Sequence, residues 1–493
     1  APMTGASRTT RPKRPWFTAR SVAKATGGEV VQGGATGQGV AIDTRADCEG
    51  KVFVALRGEH HDSHDYLGDA VAKGCVGLVV DRDVELGSLL REAKLQRARE
   101  PFVVKVADTG EALLGIAREH RRRSRARGVG LTGSCGKTST KEWLGAVVES
   151  FMPAVRSPGS YNNHVGVPLT LFQLRDETRA AVVEIGTNAP GEIAQLSDVA
   201  RPDIGIVTCV APAHLEGLGS LEGVAREKSC LPKALPADGV CILNGDDAAC
   251  RAMAELTDAK VEFLSVHRQA DWFATDVRFH ALGTTFLLQG KRPVTLPRLG
   301  RHNVYNALAV IAAAHHLGVP EDVVLRQLAS VPSAARRLEP KQAGGVMIFD
   351  DTYNMNPESA RSALQAMAGL QAGGEGRGIA VFGGMAELGD DSESLHRRLG
   401  EQVVKSNHDV LVCVGRDAGA IADGAVAAGM PAAAVYRLDD VNAALRLLRG
   451  ELRAGDRVLC KASRRVQLDR LVDRLVGELG NVGRRGEAEV SRG

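Results

Sequence analysis

Hydrophobic positions along this chain follow two rhythms. Short apolar runs, many of them β-branched, are separated by stretches with helical spacing. The runs include residues 51–56 (KVFVAL), 75–80 (CVGLVV), 179–186 (RAAVVEIG), 203–210 (DIGIVTCV) and 239–244 (GVCILN). They continue with residues 346–351 (VMIFDD), 378–384 (GIAVFGG), 409–415 (DVLVCVG) and 456–462 (DRVLCKA). Such runs predict buried strands, and their alternation with helices predicts mostly parallel sheets covered on both faces. Residues 285–296 (TFLLQGKRPVTL) read as a hairpin, and 303–318 (NVYNALAVIAAAHHLG) as an alanine-rich helix stopped by glycine. The helical stretch 111–127 ends in an arginine cluster, read as a solvated helix end favoured by the helix dipole.

Length and composition sharpen this picture. The 493 residues suggest three domains. The segmentation places a small α/β domain at 16–127, a central mostly parallel α/β domain at 128–333 and a second, smaller α/β domain at 334–480. Hydrophobic content of 44% and charged content of 25% are ordinary for a globular chain. A net charge of +3 supplies no global field for nucleic acid or an anionic membrane. Much of the positive excess lies in residues 1–15 and 481–493, both expected to be disordered tails and neither resembling a secretory signal. Nine scattered cysteines without a Cys-x-x-Cys pair suit free thiols in a reducing compartment, and no run approaches a membrane span. A cytoplasmic protein is expected.

One stretch carries chemistry at once. Residues 131–141 read LTGSCGKTSTK. A short strand feeds a glycine loop, and a helix follows, the context a phosphate loop requires. Gly133 and Gly136 let backbone N–H groups turn toward an anion, and the helix start adds partial positive charge. Lys137 reaches β- and γ-phosphates, and Thr138 offers a hydroxyl to Mg²⁺. The spacing differs from the common nucleotide-hydrolase pattern, because only two residues separate Gly133 from Gly136. Magnesium takes oxygen ligands. Glu184 near the end of one predicted strand and His214 just past another are the candidates, since ligands gather at the carboxyl ends of parallel strands.

Further motifs extend the pattern: EIGTNAPGEI, APAHLEGLGS, VAREK, HNVYNALA, DDTYNMNP, GGMAELG and KASR. Together with TGSCGKTSTK they resemble the Mur ligase family, and the resemblance runs from about Trp16 to Gly480. The two-residue gap between the glycines is that family's form of the loop. The later motifs, and IDTRADCEGKVFVALRGEHHDSHDY near the start, are similar to the branch that joins D-alanyl-D-alanine to a UDP-N-acetylmuramoyl-tripeptide. The resemblance implies three α/β domains: a substrate domain, a central phosphate-loop ATPase domain and a Rossmann-like ligase domain that takes the dipeptide. It implies an ATP-dependent ligase that forms an acyl-phosphate in peptidoglycan precursor synthesis.

The implied roles follow by residue. Gly133, Ser134, Cys135, Gly136, Lys137, Thr138 and Ser139 would hold ATP phosphates, with Asn303 and Asn306 toward the adenine. Arg337 and Asp351 would meet the nucleotide from the third domain. Thr138, Glu184, His214 and Lys228 would hold two Mg²⁺ ions, Lys228 as a carbamate. Thr44, Arg45, Asn162, Asn163, Asn354 and Asn356 would line the substrate sites. Lys228-Ser229-Cys230 departs from the family's usual Lys-Gly-Glu, which removes a glutamate beside Lys228. A monomer without nucleic-acid partners is expected. The rival readings are a sister ligase adding another amino acid and a phosphate-loop ATPase without ligase activity.

Overall fold

The computed structural model describes residues 16–58, 61–92, 100–280, 283–331, 335–371 and 376–490. The expected tail at 1–15 and the boundary at 333/334 lie outside these. Three sheets account for the predicted runs, and the expected α/β class holds.

The first sheet contains β1 (Glu29–Gln32), β2 (Val40–Ala41), β3 (Val52–Val54), β4 (Gly77–Val80) and β5 (Phe102–Lys105), in the order β1-β5-β4-β3-β2. All neighbours are parallel except β1, which runs antiparallel to β5. Both faces of β3 and β4 are buried, as their unbroken apolar sequence requires. Phe53 and Leu78 pack with Leu67, Ala70 and Val71 of a short helix. The helix Thr109–Arg123 starts where Asp108 accepts from the Glu111 N–H at 2.8 Å. One arginine of its end is not solvated. Arg121 is buried and donates to the carbonyls of Ala200 and Arg201, which terminate the helix Glu192–Ala200.

The central sheet contains β6 (Arg127–Thr132), β7 (Ala154–Arg156), β8 (Ala180–Glu184), β9 (Ile204–Val207), β10 (Val240–Asn244), β11 (Lys260–Ser265), β12 (Trp272–His280), β13 (Gly283–Leu288) and β14 (Arg292–Leu296). Their order is β14-β13-β12-β11-β10-β9-β6-β8-β7. The sheet is mostly parallel; β12, β13 and β14 form an antiparallel extension that contains the predicted hairpin.

The third sheet contains β15 (Glu339–Ala343), β16 (Val346–Asp351), β17 (Gly378–Phe382), β18 (Val410–Val414), β19 (Val435–Leu438) and β20 (Arg457–Lys461), in the order β15-β16-β20-β17-β18-β19. Only β15 is antiparallel. The last helix, Asp469–Val490, continues past residue 481, where composition suggested a tail. Extending an established helix avoids the cost of a new nucleus.

By compactness the chain divides into two units. One comprises Ala1–Gly128, Met152–Ile185 and Gln195–Pro202; the other comprises Val129–Phe151, Gly186–Ala194 and Asp203–Gly493. Within the second unit, Leu215, Leu218, Val224 and Leu299 share one apolar core with Phe349, Leu364, Met385 and Leu388 of the third-sheet region. Two candidate regions of chemistry are thereby fixed to one another through side-chain packing.

Candidate active site

The phosphate-loop candidate begins where buried β6 ends. Gly133 has φ +146° and Gly136 φ +85°, backbone that favours glycine. Space adds a second requirement. A Cβ on Gly133 would stand 1.9 Å from Thr208 Oγ1, and one on Gly136 2.5 Å from Asn306 Oδ1. Gly136 begins the helix Lys137–Glu149 without a side-chain cap. The helix dipole therefore leaves partial positive charge at the loop. Lys137 Nζ donates to Gly133 O at 2.6 Å, which folds the ammonium over the loop.

The segment after β9 frames this loop. Ser134 N–H donates to Cys209 O at 2.9 Å, and Ser134 Oγ donates to Ala211 O at 2.7 Å. Thr208 Oγ1 donates to Cys135 O. Asn306, from the helix Arg301–His316, accepts from Thr140 Oγ1 at 3.2 Å and donates to Asn303 Oδ1 at 3.1 Å. Asn303 in turn donates to Leu299 O at 2.8 Å. Both asparagines are buried; Asn306 meets the loop directly and Asn303 stands behind it.

Residues of the third-sheet region reach the same loop. Arg337 Nη2 donates to Thr138 Oγ1 at 3.1 Å, and its guanidinium lies over the Tyr353 ring, 4.3 Å from the centroid. Asn356 Nδ2 donates to Ser134 O at 3.3 Å, while Asn356 Oδ1 accepts from Cys135 Sγ at 3.2 Å. The same Oδ1 accepts from Ser359 N–H at 2.8 Å, at the start of the helix Pro357–Gln371. Asp351 pairs with Lys461 at 2.7 Å, and Lys461 also donates to Asn354 O at 3.0 Å. Burial raises the Asp351 pKa, and the Lys461 charge opposes the rise.

His214 follows β9 in left-handed backbone, φ +54°. Its Nδ1 lies 2.5 Å from Glu387 Oε2, and Glu387 O accepts from Leu215 N–H at 2.9 Å. Burial lowers the His214 pKa, the Lys137 charge lowers it further, and Glu387 opposes both. Lys228, 1% exposed, has its pKa lowered to about 7, first by burial and then by Lys137. His214 and Lys228 thus both feel the charge of Lys137.

In the other unit, Glu184 ends β8 at 1% exposure and accepts from Asn162 Nδ2 at 2.9 Å. Its N–H donates to Ser157 Oγ at 3.1 Å. Asn163 Oδ1 accepts from Gly166 N–H at 2.9 Å, at the first residue of the helix Gly166–Leu171. The exposed Arg45 guanidinium is held by Asp43 through three hydrogen bonds, at 3.0, 3.1 and 2.7 Å, and Lys73 Nζ donates to Thr44 O at 2.6 Å. The Arg45 hydrogen bond holds the Asp43 pKa at about 2.

Two partners in this network carried no assignment from sequence, Glu387 and Lys461. Both lie in quoted motifs, GGMAELG and KASR. A third, Glu227, stands beside Lys228. Its carboxylate accepts from Gly191 and Ile193 N–H groups, both at 2.7 Å, at the start of the helix Glu192–Ala200. It precedes the lysine, whereas the missing glutamate of the usual motif follows it. Among the described residues no three His, Cys, Asp or Glu side chains converge as a metal cluster.

A mostly parallel α/β sheet, a glycine loop with a lysine and a hydroxyl at a helix start, and an arginine from the third-sheet region on that hydroxyl define a protein built to handle nucleotide phosphates. The Mur ligase middle domain profile matches residues 131–314, and the profile described as Mur ligase, glutamate ligase domain, matches 336–464. UDP-N-acetylmuramoyl-tripeptide–D-alanyl-D-alanine ligase of Mycobacterium bovis is 35% identical over 469 residues, covering 89% of this chain and 92% of that protein. A crystal structure of MurF from Acinetobacter baumannii superposes with a TM-score of 0.84 at 31% identity, covering 95% of this chain and 100% of that one. MurF ligase from Thermotoga maritima in complex with ADP gives 0.77 at 26% identity, covering 89% and 97%. The chain belongs to the Mur ligase family.

Proposed function

We propose that this chain joins D-alanyl-D-alanine to a UDP-N-acetylmuramoyl-tripeptide, with ATP converted to ADP and phosphate, in peptidoglycan synthesis. The observation that carries this reading is the meeting of Arg337 and Asn356 with the phosphate loop. A carboxylate is a poor electrophile, so its oxygen first attacks the γ-phosphorus and the bond to ADP breaks. The dipeptide's neutral amine then attacks the acyl carbon, phosphate leaves, and one N–H proton is lost. The acyl-phosphate must be kept from water, which a phosphate loop covered by another sheet's residues achieves.

Lys137 lessens repulsion between the carboxylate and the γ-phosphate. Arg337 adds a second cation at Thr138. Asn306 packs close to Gly136 and accepts from Thr140 in the helix that the loop opens. Two Mg²⁺ ions, when bound, would neutralise phosphate charge, with Thr138, Glu184, His214 and carbamylated Lys228 as their ligands. The donor chemistry suits them: a buried carboxylate, a loop hydroxyl, an imidazole and a lysine primed to become an anion. An amine lowered to about 7 is substantially neutral at that pH. Its nitrogen can attack CO₂, giving a carbamate and releasing a proton. Lys137, which disfavours an ammonium at Lys228, favours a carbamate there. Lys228→Arg should abolish the ¹³C carbamate resonance seen after equilibration with labelled bicarbonate; persistence of that resonance would remove Lys228 from the metal site.

Thr44, Arg45, Asn162 and Asn163 are assigned to the UDP-sugar peptide, and Asn354 to the dipeptide side. We also read the protein as a cytoplasmic monomer; the nine free cysteines support the reducing compartment. Among the described residues no helix is long and apolar enough to cross a membrane. The testing experiment is phosphate release with each substrate omitted in turn. Release should need ATP, the nucleotide-sugar tripeptide and D-alanyl-D-alanine together. Release with ATP alone at the same rate, or equal use of single amino acids, would refute the assignment.

A further inference from the structure

Two thiols flank the phosphate loop, and the reaction above uses neither. Cys135 is a loop residue; Cys209 lies in the segment after β9 that frames the loop. Their backbones are tied together, since Ser134 N–H donates to Cys209 O at 2.9 Å and Thr208 Oγ1 donates to Cys135 O. Cys209 Sγ also donates to Cys135 O at 3.7 Å. Both cysteines are only partly buried, unlike Cys48, Cys75, Cys241, Cys250, Cys413 and Cys460. Cys135 Sγ makes the 3.2 Å contact to Asn356 by which the third-sheet region grips the loop.

We infer that Cys135 and Cys209 are a modification site for hydrogen peroxide, forming a disulfide that disables the phosphate loop. The reaction balances. The Cys135 thiolate attacks one peroxide oxygen, the O–O bond breaks, and water leaves after protonation, giving a sulfenic acid. Cys209 sulfur attacks that sulfur, the S–O bond breaks, and a second water leaves. Two thiols are oxidised by two electrons and one peroxide is reduced.

The assignment of roles follows from the surroundings. Pairing with Cys209 lowers the Cys135 pKa, desolvation of the sulfur opposes this, and Asn356 and Lys137 assist. Cys209 is pushed up by the same pairing and by burial. Cys135, next to the N-terminus of the helix Lys137–Glu149, where the helix dipole favours a thiolate, therefore attacks, and Cys209 resolves. In the disulfide, Cys135 sulfur can no longer donate to Asn356, and the loop between the two glycines is tethered to residue 209. Loss of nucleotide binding follows. This consequence rests on the reading of residues 133–139 as the ATP loop.

The test treats the full chain with hydrogen peroxide and measures ADP binding and the peptide map. The reduced protein is measured first, so that failure to bind ADP at all would count against the ATP-loop reading alone. After oxidation, a linked peptide pair containing Cys135 and Cys209 should appear. ADP affinity should fall at least tenfold, and dithiothreitol should restore it. Cys209→Ser should bind ADP normally when reduced and form no linked pair. It should retain affinity better under a brief peroxide pulse. Absence of the 135–209 link, unchanged affinity in linked protein, or equal inactivation of Cys209→Ser would each overturn the proposal.

Discussion

Asn356 holds two structures with one side chain, and substitutions separate them. Its Oδ1 caps the helix Pro357–Gln371 through Ser359 N–H at 2.8 Å. Its amide also grips the phosphate loop through Ser134 O at 3.3 Å and Cys135 Sγ at 3.2 Å. Removing a helix cap costs about 1 kcal/mol. Each loop contact is worth about 0.5–1.5 kcal/mol, the sulfur contact at the low end. Asn356→Ala should therefore cost about 2–4 kcal/mol in all. Asn356→Ser keeps a capping oxygen and should lose only the loop part, about 1–3 kcal/mol. Because about 1.4 kcal/mol is tenfold in an equilibrium, both variants should bind ADP roughly tenfold or more weakly. Urea unfolding should rank Ala below Ser by about 1 kcal/mol, and titration calorimetry reads the ADP affinity. An Asn356→Ser variant with wild-type ADP affinity would refute the grip on the loop. Equal stability of Ala and Ser variants would refute the cap.

Other outcomes follow from the same geometry. Glu387→Ala removes the carboxylate 2.5 Å from His214 Nδ1, so the imidazole loses the partner that holds its orientation. Turnover should fall about tenfold or more, a typical cost of losing such a partner. Glu387→Gln should keep most of the turnover, and equal rates for Ala and Gln would contradict the role. His408 is buried, and burial lowers its pKa to about 4 from 6.5. Between those values the unfolded chain binds the proton and the folded chain does not, so stability falls as pH falls from 6.5 toward 4. The loss from this group should approach roughly 3 kcal/mol. His408→Phe should flatten the urea-midpoint profile over that window; an unchanged slope would contradict it.

Much of this architecture is visible in the sequence because fully buried parallel strands must be apolar throughout. Strands β16, β17, β18 and β20 stand where residues 346–351, 378–384, 409–415 and 456–462 predict them. The edge strands β15 (EPKQA) and β19 (VYRL) carry no such run, because an edge need not be buried on both faces. Gly133 and Gly136 announce themselves through spacing, since their positive φ leaves few alternatives. Relations between distant residues are less legible. Nothing local in ELG marks Glu387 as the partner of His214. Nothing near residue 121 shows that one arginine of the cluster would leave solvent to bind the carbonyls of Ala200 and Arg201. The pairing of Cys135 with Cys209 depends on β6 and β9 being neighbours, a fact of sheet order.

Isotope transfer tests the central claim most directly. A UDP-N-acetylmuramoyl-tripeptide labelled with ¹⁸O in its reacting carboxylate is turned over with ATP and D-alanyl-D-alanine, and the released phosphate is analysed by mass. Activation by direct phosphorylation predicts one labelled oxygen in each phosphate formed. Unlabelled phosphate, with its new oxygen drawn from water, would contradict the account.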